Sequence, residues 1–228
     1  KKSKIEFQDL LYDTKKIQGA EAGDGQLTPG GIQLGHGSRP VSTSKVFTTG
    51  DLVQTDERLD VAIAGDGFFE VQLPGGIQGY TRDGSFKVSA DGAIVTNEGY
   101  QVVNAIPNIG AEVSNIGIAK TGEYTMFDQQ GNNIGAGQIQ ITRFINPSGL
   151  QNIGGNIYQE TPASGVPEQG NPGQNGFGGL AQGYLEMSNV KVVEEMVNLI
   201  KAQRAYEVNS KAIQAADEMM QRSNQIKR

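Results

Sequence analysis

Between Ser188 and Arg228 the apolar positions recur at heptad spacing, and no Gly or Pro interrupts them. Val192, Leu199, Tyr206, Ile213 and Met220 form one row, and Glu195, Ala202, Asn209 and Ala216 form the row beside it. This spacing predicts a coiled-coil-type helix. A helix of roughly 38 residues would be on the order of 57 Å long. Val193, Met196, Val197 and Ile200 widen the apolar stripe over the first turns, and Asn209 suits a polar register-setting place in the seam. Glu207 with Lys211 and Glu218 with Arg222 stand at i,i+4 in the favourable order. Glu194 and Glu195 early and Lys227 and Arg228 late complement the helix dipole. A helix packed on its own domain is the competing reading. The seam outruns what a small β domain covers, so it predicts an assembly surface made of Val192, Leu199, Ala202, Tyr206, Asn209, Ile213, Ala216 and Met220.

Residues 40–104 follow a different rule. Short runs at Val41–Thr48, Asp60–Ala64, Phe68–Leu73, Gly79–Thr81, Ser85–Ser89, Ala93–Thr96 and Tyr100–Asn104 read as strands. Turn signals separate them at Gly65-Asp66-Gly67, Pro74-Gly75-Gly76, Asp83-Gly84, Asp91-Gly92 and Glu98-Gly99, with Asp-Gly read as a hairpin signal. Phe68, Phe69, Val71, Tyr80, Phe86, Val88, Ile94 and Val102 are the expected core. Further strands are expected at Ile116–Ala119, Glu123–Phe127, Gln138–Phe144 and Asn156–Tyr158, joined by Gly/Asn-rich connections at 130–137 and 146–155. Residues 1–17 favour neither period. They read as a short helix or extended lead-in with Ile5, Phe7, Leu10, Leu11 and Tyr12 as buried candidates, followed by a Gly-rich loop with a short strand near 32–34.

The pattern defines a mainly β protein, an antiparallel domain of short strands, with a long C-terminal α-helix. Four segments are expected: a lead-in and Gly-rich loop at 1–37, the β domain at 38–160, a linker and return segment at 161–187, and the helix at 188–228. The 32 Gly fit tight turns between short strands.

Charge and chemistry narrow the function. The net charge of −6 and the lack of any basic run interleaved with aromatics argue against a nucleic-acid partner. The lack of cysteine excludes disulfides, thiol nucleophiles and Cys-based metal sites within these residues. No apolar run approaches a membrane span, no signal peptide opens the chain, and it starts at Lys1 rather than Met. His36, the single histidine, lies in a Gly-rich stretch without a triad partner. Asp24, Asp66, Asp83 and Asp91 each precede Gly and read as turn residues, since no window has calcium-loop spacing. No phosphate loop occurs. Neither a catalytic site nor a cofactor is expected.

Several stretches resemble the rod and hook axial proteins of the bacterial flagellum. They are Gln203-Arg204-Ala205-Tyr206-Glu207, Asn209-Ser210-Lys211 and Ala216-Asp217-Glu218-Met219 in the helix, and Leu59-Asp60-Val61-Ala62-Ile63, Gly65-Asp66-Gly67-Phe68-Phe69 and Tyr80-Thr81-Arg82-Asp83-Gly84-Ser85-Phe86 in the β region. Glu6-Phe7-Gln8-Asp9-Leu10-Leu11-Tyr12, Gly183-Tyr184-Leu185-Glu186 and Ser188-Asn189-Val190 extend the likeness over nearly the whole chain. Gly31-Ile32-Gln33-Leu34-Gly35, with Gly37, Arg39, Pro40 and Val41, is similar to the segment that distal-rod members carry.

The resemblance implies a structural subunit that forms a helical homopolymer, spans the periplasm and leaves the cell through the flagellar secretion channel without a cleaved signal. Its implied partners are further copies, the proximal rod proteins, the hook protein and the P-ring and L-ring proteins, with no membrane insertion. The family's N-terminal helix would precede Lys1 and is the implied partner of the seam. A secreted β-rich binding module, a carboxylate-based hydrolase, and a hook or proximal-rod relative are the alternatives.

Overall fold

The computed structural model describes residues 1–18, 30–110 and 112–226. Asp24, most of the Gly-rich stretch, and Lys227 and Arg228 lie outside the described residues. The chain divides into two compact units, residues 1–187 and 188–228.

The first unit is antiparallel β structure. Its largest sheet has seven strands in the spatial order Gln151–Gly154, Ile157–Gln159, Gln78–Thr81, Phe69–Gln72, Gln101–Val103, Ile94–Val95 and Lys87–Val88. A three-stranded sheet, Asn115–Ile118, Glu123–Phe127 and Asn133–Gln138, lies beside two-stranded pairs of Val61–Ala64 with Gly179–Gln182 and Ile141–Arg143 with Glu168–Gly170. One hydrophobic cluster gathers Ile63, Phe69, Val71, Ile94, Val102, Ile106, Ile141 and Leu180. A second is largely aromatic: Phe68 with Phe144, Phe68 with Tyr158 and Tyr80 with Phe144 meet edge to face at ring-centroid distances of 4.8–6.1 Å, and Leu150 completes the cluster. Such rings contribute beyond their buried area because the positive edge of one meets the negative face of the next.

The hairpin turns share one design. At Leu73–Ile77, Ser89–Ala93, Thr96–Tyr100, Ala119–Glu123 and Asp128–Asn132 the fourth residue is a Gly with positive φ that donates its N–H to the first carbonyl. This is a three-residue loop with Gly in the left-handed region, not the two-residue Asp-Gly turn expected for Asp91-Gly92. Asp83-Gly84 is no hairpin turn at all. Gly84 carries no side chain because a Cβ there would stand 1.8 Å from the Val61 carbonyl oxygen.

Seven of the eight expected core residues are buried, and Val88 is not. It sits on the outermost strand of the seven, where one side has no neighbour. Residues 161–187, expected as linker and return segment, are folded into the β unit. Glu168–Gly170, Gly179–Gln182 and Tyr184–Glu186 are strands, and Ser164 and Pro172 are fully buried. Three strands, Asn133–Gln138, Gln151–Gly154 and Glu168–Gly170, occupy stretches read as connections or linker. They are rich in Gly, Asn and Gln, and lack the apolar alternation that reveals a strand with a buried face.

The second unit contains a single α-helix, Val192–Ile226, 35 residues and about 52 Å long. Its start is marked by the Glu195 N–H donating to the Lys191 carbonyl, and a Lys191–Glu194 ion pair of 3.6 Å follows. The predicted Glu207–Lys211 and Glu218–Arg222 pairs do not close among the described residues. Holding two long side chains together on an open helix costs about as much entropy as the contact returns.

Candidate assembly surface

The helix supplies every residue of the expected seam. Val192, Leu199, Ala202, Tyr206, Asn209, Ile213, Ala216 and Met220 are all exposed, Leu199 by 59% and Tyr206 by 75%. Val193, Met196, Ile200, Val208 and Met219, off that row, are also exposed. Apolar side chains thus stand open on more than one face of the helix. Glu195 is only part-exposed.

A second exposed apolar element is a two-stranded ribbon. Ser3–Asp9 pairs with Ser38–Lys45, and Tyr12–Lys16 pairs with Ile32–Gly35. The N–H of Leu10 donates to Gly37 and that of His36 to Leu11, so the ladder continues across the gap. Ile5, Phe7, Leu11 and Tyr12, expected to be buried, are instead exposed, as are Ile32, Leu34 and Val41. A ribbon with neither face covered is marginally stable in water, so its apolar side chains call for a partner. The lead-in read as helix or extended chain is thus extended, and His36 stands exposed within the ribbon.

The third element is a buried charge cluster that sequence reading missed. Glu186, on the last strand of the β unit, has a side chain only 3% exposed. It accepts hydrogen bonds from Lys1 Nζ, from the Gly50 N–H at 2.8 Å and from Arg82 Nε at 2.9 Å. Arg82 in turn donates to the carbonyls of Gly67 and Gly65, both at 2.9 Å. Burial pushes the Glu186 carboxyl upward. The hydrogen bonds from Lys1 and Gly50 and the Arg82 charge outweigh it and hold its pKa below the ordinary value. Burial also lowers the Lys1 ammonium, and the bond to Glu186 recovers only part of that shift.

Arg82 and Glu186 lie inside the motifs Tyr80–Phe86 and Gly183–Glu186 quoted above, and their charge amid apolar neighbours was the available signal. The cluster brings the first residue and the last strand of the β unit to one place. The Met187 N–H donates to Asp51 beside it.

Among the described residues no group of three or more His, Cys, Asp or Glu could hold a metal ion, and no helix is long and apolar enough to cross a membrane. Apolar side chains left open on a long helix and a ribbon define a structural protein built for assembly. Two family models match: the flagellar hook protein FlgE/F/G D1 domain over residues 62–126, and the flagellar basal body rod FlgEFG protein C-terminal region over residues 181–226.

Full-length relatives narrow the class. The flagellar basal-body rod protein FlgG of Buchnera aphidicola subsp. Acyrthosiphon pisum is 48% identical over 99% of this chain and 87% of its own length. The proteins of the same name in Borreliella burgdorferi and Caulobacter vibrioides are 46% and 42% identical, each over 100% of this chain and 87% of the relative. The chain belongs to the flagellar basal-body rod protein FlgG family. The binding-module, hydrolase, hook and proximal-rod alternatives find no support among these relatives.

Proposed function

We propose that this protein is a structural, non-enzymatic subunit of the distal rod that self-assembles helically and transmits torque from motor to hook. Membership of the FlgG family supports the rod itself. The observation that carries the assembly mechanism is the exposed apolar seam Val192, Leu199, Ala202, Tyr206, Asn209, Ile213, Ala216 and Met220. In the rod this seam packs against a second helix, and interlocking side chains along heptad rows resist sliding between subunits. The exposed ribbon supplies further contact between copies.

On this reading the subunit follows the flagellar export route without a cleaved signal and spans the periplasm. It joins proximal rod proteins at one end and hook protein at the other, with the P-ring and L-ring proteins around it. Leu199→Asp or Ile213→Asp places a charge in the seam, and an unpaired charge there is far costlier when buried than when exposed. Cells carrying either variant are expected to lack distal rods by electron microscopy, while circular dichroism of the purified protein keeps the β signature. Normal rods in both variants would overturn the seam.

A further inference from the structure

One covalent chemistry is built into the loop ahead of the strand Gly179–Gln182. Asn175 is the only asparagine in the chain followed by Gly. Such a step is the most open to deamidation, because Gly leaves the following amide nitrogen unshielded. In that reaction the Gly176 nitrogen, on losing its proton to water, attacks the Asn175 Cγ, a C–N bond forms and ammonia leaves. Water then opens the cyclic imide at either carbonyl. Asparagine and water have become aspartate or isoaspartate and ammonium. Access favours this outcome, since Asn175 and Gly176 are both exposed. Among the described residues no hydrogen bond holds the Asn175 side chain or the Gly176 N–H.

The backbone opposes it. Asn175 has φ +49° and Gly176 φ +84°, and the Phe177 N–H donates to the Gln174 carbonyl at 2.8 Å. Positive φ at both central residues under that bond defines a type I′ turn, in which ψ of the first central residue is positive as well. There the Gly176 nitrogen lies nearly opposite Cβ across the Cα–C bond of Asn175, whereas ring closure needs the two on the same side. Asn175 must turn its ψ most of the way around before the nitrogen can reach Cγ.

Arg143 resists that rotation. Its Nη1 donates to the Asn175 carbonyl at 3.1 Å, its Nη2 bonds the Glu168 carboxylate at 2.9 Å, and its guanidinium lies 5.0 Å from the centre of the Phe177 ring. The loop is closed on both sides of the turn, with the Gly173 N–H donating to Gly178 at 3.1 Å and the Gly178 N–H to Asp66 at 2.7 Å. Phe177 in turn packs on Gly170, where a Cβ would collide with its ring.

We infer that Asn175-Gly176 is a latent deamidation site that the folded turn silences, and that Arg143 is the residue that holds it shut. Isoaspartate at 175 would add a backbone atom to the turn just ahead of Gly179–Gln182, the strand paired with Val61–Ala64, so the guard protects the fold of the β unit. The inference concerns that unit alone and stands apart from the rod reading.

The test follows the purified full-length protein at mildly alkaline pH, folded or unfolded in urea. Mass spectrometry reads the peptide that holds residue 175, and carboxyl methyltransferase labelling counts isoaspartate. In urea residue 175 is expected to convert faster than every other asparagine. In the folded protein it is expected to convert more than about tenfold more slowly, because the turn must first break its bonds. Arg143→Ala is expected to raise the folded-state rate about tenfold and to leave the rate in urea unchanged. Arg143→Lys keeps the charge but cannot hold the carbonyl and Glu168 together, so its rate should fall between the two.

Equal rates in folded and unfolded protein overturn the guard, and slow conversion in urea overturns the site. A folded Arg143→Ala protein as slow as the unmodified one overturns the part given to Arg143. Should Arg143→Ala fail to fold by circular dichroism, Arg143→Lys carries the comparison, and a folded-state rate no higher than that of the unmodified protein overturns the proposal.

Discussion

Replacing Glu186 by glutamine keeps the shape of the side chain and removes the one negative charge between Lys1 and Arg82. In the native protein the carboxylate is 3% exposed and receives Lys1 Nζ, the Gly50 N–H and the Arg82 guanidinium. Without it two cations share a covered site with no counter-ion. Breaking a buried pair by removing one partner costs about 3–5 kcal/mol, because the remaining charge stays desolvated. Lys1 has a long stem and retreats to water, so the lower end, about 3 kcal/mol, applies. For a β unit of residues 1–187 each kcal/mol lowers Tm by about 2–4 °C, and the expected loss is about 6–12 °C near neutral pH.

The same reasoning fixes the pH dependence. The folded pKa of Glu186 is held below its ordinary value of 4.5, so its stabilising share is present above that value. It is lost as pH falls through the lowered folded pKa. The unmodified protein should therefore lose its advantage over Glu186→Gln in acid, where the carboxyl is protonated and resembles the amide. Calorimetric Tm values for both proteins from neutral to acid pH provide the check. A gap near neutral pH worth under about 1 kcal/mol, or one that persists unchanged in acid, refutes the charge-cluster account.

Two further outcomes follow from local geometry. Gly84→Ala puts a Cβ 1.8 Å from the Val61 carbonyl oxygen, and the Val61 N–H also donates to Gly84, so the strands cannot part cheaply. A loss of about 3 kcal/mol or more in chemical denaturation is expected, against about 1 kcal/mol for Gly75→Ala, where φ is +87° and nothing lies within 4 Å; similar midpoints for the two would refute this. The Tyr80 phenol is pushed up to about 12, first by burial and then by Glu160 and Glu70. Its protonated form therefore stabilises the fold fully below the ordinary value of 10 and progressively less as pH rises toward 12. Ultraviolet titration should show a late tyrosinate step that Tyr80→Phe abolishes, and a profile unchanged by that substitution would contradict it.

Burial explains what could be read in the chain and what could not. Phe68, Phe69, Val71, Tyr80, Phe86, Ile94 and Val102 announced themselves as large apolar residues in short runs bounded by turn signals, and Phe68 and Phe69 stand side by side because each faces a different core. Residues 3–16 showed no period because neither face of their ribbon is covered by the rest of the described residues, so apolar and polar positions do not sort to opposite sides. Asn133–Gln138 and Gln151–Gly154 were invisible for a related reason: both are outer strands of their sheets, and their pairing is set by the strand on the inner side. In each, the Ile of an Asn-Ile-Gly run is skipped in the register while the Asn side chain accepts the Gly N–H at 3.0 Å. These bulges leave the edges bent and partly blocked, which discourages uncontrolled strand addition in a protein that must polymerise by design. The cluster at Glu186 was beyond any local pattern, since Lys1 and Glu186 are 185 positions apart in sequence.

That cluster also holds the last strand of the β unit in place. A force arriving through Met187 reaches a strand, Tyr184–Glu186, that pairs with Leu52–Gln54 over only a short ladder. Such a ladder alone would open from its end one hydrogen bond at a time. Glu186 passes the load sideways to Gly50 and Arg82, and the Arg82 fork carries it to the carbonyls of Gly65 and Gly67, which open onto Phe68 and Phe69 of the two cores. A planar guanidinium suits this place because it holds the carboxylate and both carbonyls at once in fixed directions, which a single ammonium on a flexible stem does not. The last strand of the β unit is therefore anchored by side-chain bonds as well as by its own ladder.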